Sequence, residues 1–486
     1  MSEAVRQLEP RTLWGRFADL NEIPRASGKE EAVCAWITGL AREAGLDVES
    51  DAVGNVLVRK PSTPGMENRK SVILQSHVDM VHQKNNDTAF DFDTEGIRMV
   101  VEGDWVKAEG TTLGADNGLG VATMLAVMES TDLPHPPLEF LFTIDEETGM
   151  TGALELQQEW LRGDILLNLD TEDDREIGIG CAGGVDLSFR GSYSPVTGTE
   201  DHGVVVEVKG GSGGHSGMDI HKGLANANKL LVRVLQEMRA REPHTELAAL
   251  DGGGLRNAIP REATATLSSS CSASDWAADL TELTNAIQAE YRTTDPDLAV
   301  HFHEVGAPDE VVPEEQAASL LAALDACPNG IDRMSPDIPG LVQTSNNLAR
   351  ILLEDGQVEA HCLTRSSVDS EKMDFARRIE APFRMAGLTP SRGGAYPGWT
   401  PNPDSAVVQM MTELYRELHD EEPLVLACHA GLECGILGSR YPGLDMVSFG
   451  PTILGAHSPD ERASVSSTAK YWNWFQEALA RTPQNG

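Results

Sequence analysis

The stretch Ser71–Gln83, SVILQSHVDMVHQ, starts as an apolar run and ends on two histidines that bracket an aspartate. On a strand, side chains at i and i+2 share a face, so His77 and Asp79 can address one point. A metal-ligating imidazole hands its second N–H to a carboxylate or carbonyl. The pair therefore matches a ligand and the acid that orients it. A strand running out into a polar loop would leave the same letters. A metal site demands further ligands elsewhere in the chain.

Three other short apolar runs resemble this one: NVLVRK (55–60), LEFLFTID (138–145) and DILLNLD (164–170). Helical patterns are predicted between them, over GVATMLAVMES (120–130) and GALELQQEWL (152–161). Buried strands alternating with helices predict an α/β domain. In open α/β sheets, sites form at the carboxyl ends of strands, which is where His77, Asp79, Glu146 and Asp170 fall. After GIGCAGG (178–184) the strands alternate apolar and polar residues, as half-exposed antiparallel strands do. Long helical segments separate them, which predicts an α+β unit. The first texture returns near Gly387. The expected layout is a catalytic domain over 1–185, an insertion over 186–388, and the rest of the catalytic domain over 389–486.

A chain of 486 residues exceeds one hydrophobic core, in keeping with two domains. Seven scattered cysteines without a CxxC pair point to reduced thiols rather than disulfides or a cysteine zinc site. The net charge of −38 sets the chain against nucleic acid and anionic lipid as partners. No apolar run reaches the ~18 residues of a membrane span. The N-terminal MSEAVRQLEPRT has no secretory pattern, so a cytoplasmic protein is expected.

Four more segments offer ligands. GTTLGADNGLGVA (110–122) places Asp116 in a glycine-rich loop before a helix, where a helix N-cap would explain it equally well. FTIDEETGM (142–150) puts Glu146 and Glu147 directly after a strand, where paired acids need solvent or cations. ILLNLD (165–170) delivers Asp170 behind an apolar run, a costly place for a bare charge. GPTILGAHSPDER (450–462) holds His457 in a loop of small residues. Together these offer carboxylates and two imidazoles, a set suited to two divalent ions. Zinc accepts such donors, as do manganese and cobalt.

At these residues the pattern resembles a known family. SHVDM, GADNGLGVA, TIDEETGMTGA, NLDTED, GGHSGMDIHKGLANA, RNAIPREA, RSSVDS, HAGLECG and GAHSPDER occur in an order similar to the M20 metallopeptidases, in their aminoacyl-histidine dipeptidase branch. The resemblance spans essentially the whole chain. It implies a zinc-peptidase-like catalytic domain, with a mixed sheet flanked by helices, interrupted by an α+β lid domain.

By the same resemblance, His77, Asp116 and Asp170 bind one metal, and Asp116, Glu147 and His457 bind the other. Asp79 orients His77, and Glu146 is the general base for the attacking water. In the lid, His215 of GGSGGHSG assists the oxyanion, while Asn257 and Arg365 recognise the substrate's carboxyl end. A guanidinium suits that task because it pairs bidentately with a carboxylate. Glu433 is the candidate for the free α-amino group. His82 and His429 receive no role. The implied substrate is a small unblocked dipeptide, with broad specificity including Xaa-His, and the implied assembly is a homodimer with two divalent ions per subunit.

Competing readings keep the site and change its use. A deacylase would prefer N-blocked substrates, and an aminopeptidase would take longer peptides. A non-catalytic metal or peptide binder gains nothing from an acid beside a ligand. Neither glycine-rich loop matches the GxGxxG of a nucleotide site.

Overall fold

The computed structural model describes residues 2–485. The chain divides into two compact units. One comprises Met1–Gly180, Pro401–Ala427 and Leu432–Gly486; the other comprises Cys181–Thr400 and Cys428–Gly431.

The first unit is built on an eight-stranded mixed sheet. Its centre is the strand Val72–His77, buried at all six positions. Leu138–Thr143 and Ile165–Asn168 flank it in parallel, and Asp445–Ser448 adds in parallel beyond the latter. Val56–Lys60 and Asp47–Ser50 extend the other side antiparallel. Burial on both faces explains why Val72–His77, Leu138–Thr143 and Ile165–Asn168 are continuous apolar runs instead of alternating ones. The helix Ala115–Glu129 is buried nearly all round, as a helix without a polar face must be.

One expected helix is mostly absent. Within GALELQQEWL only the segment Thr151–Leu154 is helical. Arg440 explains the stop, because its guanidinium donates to the carbonyls of Leu154 and Leu156. Tyr441 Oη takes the next carbonyl, that of Gln157, at 3.3 Å.

The second unit is a nine-stranded antiparallel sheet with helices packed on it. Along His202–Lys209 the inward residues Val204, Val206 and Val208 alternate with more exposed ones. They share a core with Leu230, Leu231, Leu320 and Phe375 from the helices Ala227–Arg241, Glu314–Ala326 and Asp369–Met385. Phe189 stacks on Phe383 at 4.0 Å between ring centroids. The expected domain borders at 185/186 and 388/389 compare with 180/181 and 400/401 in this division. The strand Thr389–Tyr396 pairs with Gly183–Ser192, and Cys181 and Trp399 exchange backbone hydrogen bonds at 3.0 Å. Thr389–Tyr396 is largely exposed, so its sequence carries no apolar signal of that pairing.

Candidate functional site

Parallel strands deliver their carboxyl ends to one edge of the sheet. His77 is the last residue of the central strand. Glu146 and Glu147 follow its parallel neighbour through Asp145, which takes a left-handed turn with φ 54°. Asp170 lies two residues beyond Ile165–Asn168. Asp116 sits at the start of its helix with non-helical φ/ψ and caps nothing, so the N-cap explanation is set aside. His457 occupies a positive-φ position in its loop.

The side chains converge as two ligand sets that share one carboxylate. His77 Nε2 lies 3.2 Å from Asp116 Oδ1 and 3.3 Å from Asp170 Oδ1. His457 Nε2 lies 3.2 Å from Asp116 Oδ2 and 3.0 Å from Glu147 Oε2. Each oxygen of Asp116 thus faces a different set. Ligand atoms around a tetrahedral ion with bonds of ~2.0–2.1 Å stand about 3.3 Å apart. The observed spacings, the mixed N/O chemistry and the buried, unpartnered Glu147 Oε1 all fit divalent ions.

Other groups surround these side chains. Asp79 is fully buried, with Oδ1 3.3 Å from His77 Nδ1. It has a second task that the sequence reading missed, since its oxygens accept the backbone N–H of Glu146 (3.1 Å) and of Glu147 (3.2 Å). Burial pushes the Asp79 carboxyl up, but His77, the Ser27 hydroxyl and the Glu146 N–H outweigh it and hold it down to about 2. Asn117 donates to Leu169 O and to Asp170 Oδ1. Glu146 is raised well above the usual carboxylate range, first by burial and then by Asp170, Glu147 and Glu433, against the pull of His77.

Glu433 is buried beneath the same strands. Its Oε2 accepts from Gln75 (2.6 Å) and Thr143 (2.7 Å), while Oε1 makes no hydrogen bond. Burial raises this carboxyl to about 7. His82 is exposed and packs edge-on against Phe92.

His215, Asn257 and Arg365 belong to the second unit. His215 Nδ1 accepts the N–H of Gly217 (3.2 Å) and Met218 (3.0 Å), which leaves the neutral ring's proton on Nε2. That nitrogen lies 3.5 Å from Arg365 Nη2. Arg365 is 4% exposed, donates from Nη1 to Tyr396 Oη at 2.9 Å, and keeps a buried Nε without a partner. Gly217 must be glycine, because a Cβ would collide with the His429 carbonyl and press on Arg365 Nε. Asn257 is exposed, and its carbonyl accepts the N–H of Ser216 at 2.8 Å. His429 completes the cluster, with Nε2 2.7 Å from Ser345 Oγ. Its neighbours come from segments far apart in the chain, so no local motif announced it.

The sequence signature described as "Peptidase family M20/M25/M40" matches residues 73–481. The cytosol non-specific dipeptidase of Escherichia coli (strain K12) is 44% identical, over 99% of this chain and 100% of that one. The crystal structure of aminoacylhistidine dipeptidase from Vibrio alginolyticus superposes with a TM-score of 0.90 at 41% identity, each chain covered completely. A tripeptidase from Staphylococcus aureus shares the fold at a TM-score of 0.57 and 17% identity, with 97% and 98% of the two chains covered. In this fold the α/β unit is the catalytic domain and the α+β unit is its inserted lid. With the signature covering most of its length and a relative this similar end to end, the chain belongs to the M20/M25/M40 peptidase family.

Proposed function

We propose that the chain is a di-metal dipeptidase that hydrolyses dipeptides with free amino and carboxyl ends, tolerating many side chains and including Xaa-His. Asp116 carries this reading, since its two oxygens face separate ligand sets with the half-buried acid Glu146 within reach. The names of the Escherichia coli and Vibrio alginolyticus relatives, both dipeptidases, support the substrate class.

His77, Asp116 and Asp170 would hold one ion and Asp116, Glu147 and His457 the other. Zinc suits the donors best, with manganese or cobalt as substitutes. Two bound divalent ions would lower the pKa of water toward ~7 and polarise the scissile carbonyl. Glu146 takes the proton of the attacking water and carries it to the leaving amine. Asp79 fixes the His77 ring and, through two backbone N–H groups, the segment bearing Glu146 and Glu147.

In the lid, the Nε2–H of His215 serves as donor to the carbonyl oxygen as it gains charge. Arg365 pairs with the substrate carboxylate, aided by Asn257. Glu433, whose buried Oε1 makes no hydrogen bond, is the candidate partner of the α-ammonium. Anchors for both termini make a short ruler, which is the physical sense of a dipeptidase. A homodimer and a cytoplasmic location belong to the same reading, although the structure itself says only that no helix among the described residues is long and apolar enough to cross a membrane.

The test is hydrolysis of Ala-His, Leu-Gly, an N-acetylated dipeptide and a tripeptide by metal-loaded enzyme and its Glu146→Ala variant. The unblocked dipeptides are expected to be cleaved preferentially. The variant should keep its metals and lose ~10²–10⁴-fold in kcat. Preference for the blocked substrate would sink the dipeptide claim and leave the centre standing.

A further inference from the structure

Two buried side chains outside the two ligand sets converge on the loops that carry them. Glu461 is 2% exposed, and its carboxylate receives four successive backbone N–H groups of the Asp116 loop. Oε2 accepts from Leu113 (2.7 Å) and Gly114 (2.9 Å), and Oε1 accepts from Ala115 (2.7 Å) and Asp116 (3.2 Å). The same residue closes the turn that bears His457, because its own N–H donates to Ser458 O at 3.0 Å and Ser458 N–H donates to Gly455 O at 3.2 Å.

Arg25, equally buried, works on the other side of Asp116. Its Nη1 donates to the carbonyls of Val78 and Asp79 at 3.1 Å each. Its Nη2 donates to Gly114 O at 2.5 Å and to Asn21 Oδ1 at 3.1 Å. Gly114 is held at φ 69°, and a Cβ there would collide with this guanidinium. Arg25 therefore ties the end of the His77 strand to the Asp116 loop, and Glu461 ties that loop to the His457 turn.

We infer that Arg25 and Glu461 are positioning residues of the metal centre, setting Asp116 against His77 and against His457 respectively; the inference rests on the di-metal reading above. A bridging carboxylate must present one oxygen to each ligand set, and metal–ligand distances tolerate only ~0.2 Å. A loop whose four N–H groups share one acceptor cannot shift without stranding several buried donors. The planar fork of arginine reaches several carbonyls at once, which a lysine ammonium cannot reproduce.

The test measures Zn²⁺ affinity by competition with a fluorescent chelator, and the visible absorption of the Co²⁺-loaded protein, in wild type, Glu461→Gln and Arg25→Lys. In the glutamine variant an amide N–H₂ faces two backbone donors, so the loop must move while side-chain volume is kept. The expected result is a ~10–100-fold weaker affinity for at least one ion, with an altered Co²⁺ spectrum and unchanged far-UV circular dichroism of the metal-free chain. Should Glu461→Gln fail to fold, Arg25→Lys carries the same expectation. Wild-type affinities in the folded variants, affinity lost only in step with unfolding of the metal-free chain, or failure of both variants to fold would assign the pair to the fold alone and overturn the inference. A wild type that does not take up two ions per chain would instead overturn the di-metal reading.

Discussion

Around Asp116, the carboxylates of Asp79, Glu146, Glu147 and Asp170 crowd two imidazoles, whereas around Arg365 the neighbours are His215, His429 and Tyr396. The titrations diverge accordingly. Burial raises Glu147 and Asp170, and neighbouring acids raise them further. In the lid, burial and the Arg365 cation press His429 down to about 3. One cluster is short of positive charge, and the other holds a buried guanidinium with an unpartnered Nε. Crowded acids gain from cations, and a buried guanidinium gains from an anion.

Removing the cations breaks the first half of that comparison and gives the largest effect. Dialysis against a strong chelator is expected to abolish dipeptide hydrolysis and to lower the melting temperature of the chain. Zn²⁺, Mn²⁺ or Co²⁺ should restore both, and calorimetry with activity assays reads them. Retention of full activity in a chain shown by elemental analysis to hold no metal would contradict the two-ion site.

The second half is tested in the lid. Arg365→Met keeps most of the apolar stem and removes the charge. A hydrogen bond to a charged group contributes ~1.5–3 kcal/mol, so KM for unblocked dipeptides should rise ~10–100-fold. An amidated dipeptide, which lacks the carboxylate, should be affected little. Equal losses on both substrates would mean that Arg365 supports the lid rather than the substrate.

The acidic cluster was legible because each of its side chains follows a continuous apolar run or sits in a loop rich in glycine or small residues. His77, Glu147 and Asp170 follow strands whose burial both composition and length announce. Arg25 and Glu461 were not legible, since charged residues in polar segments look like surface until the loops close over them. The Arg365 cluster is assembled from residues 215, 345, 365, 396 and 429, and no single segment reveals it. GALELQQEWL misled for a related reason, because carbonyls its helix would have used are taken by Arg440 and Tyr441, nearly 300 residues away.

The smallest expected effect separates the clusters by pH. His429 is depressed first by burial, then by Arg365, with His215 and His221 adding and the Val342 carbonyl opposing. A folded-state value of about 3 lies below the ~6.5 of an unfolded histidine. As pH falls through 6.5, the unfolded chain binds the proton first. The stability contributed by neutral His429 is therefore complete above pH 6.5 and drains away between 6.5 and about 3. Each pH unit in that window is worth at most ~1.4 kcal/mol, which sets an upper bound of about 3 kcal/mol at pH 4.5. Metal-free His429→Gln, with no proton to take up, should melt somewhat below wild type at pH 7.5 for lost packing. By pH 4.5 the gap should close or reverse by a few degrees. Chelated samples are required, since acid would otherwise strip metals from wild type and variant alike. Parallel melting curves across that range would show that His429 is protonated already in the folded lid, and the contrast between the two clusters would then rest on Arg365 alone.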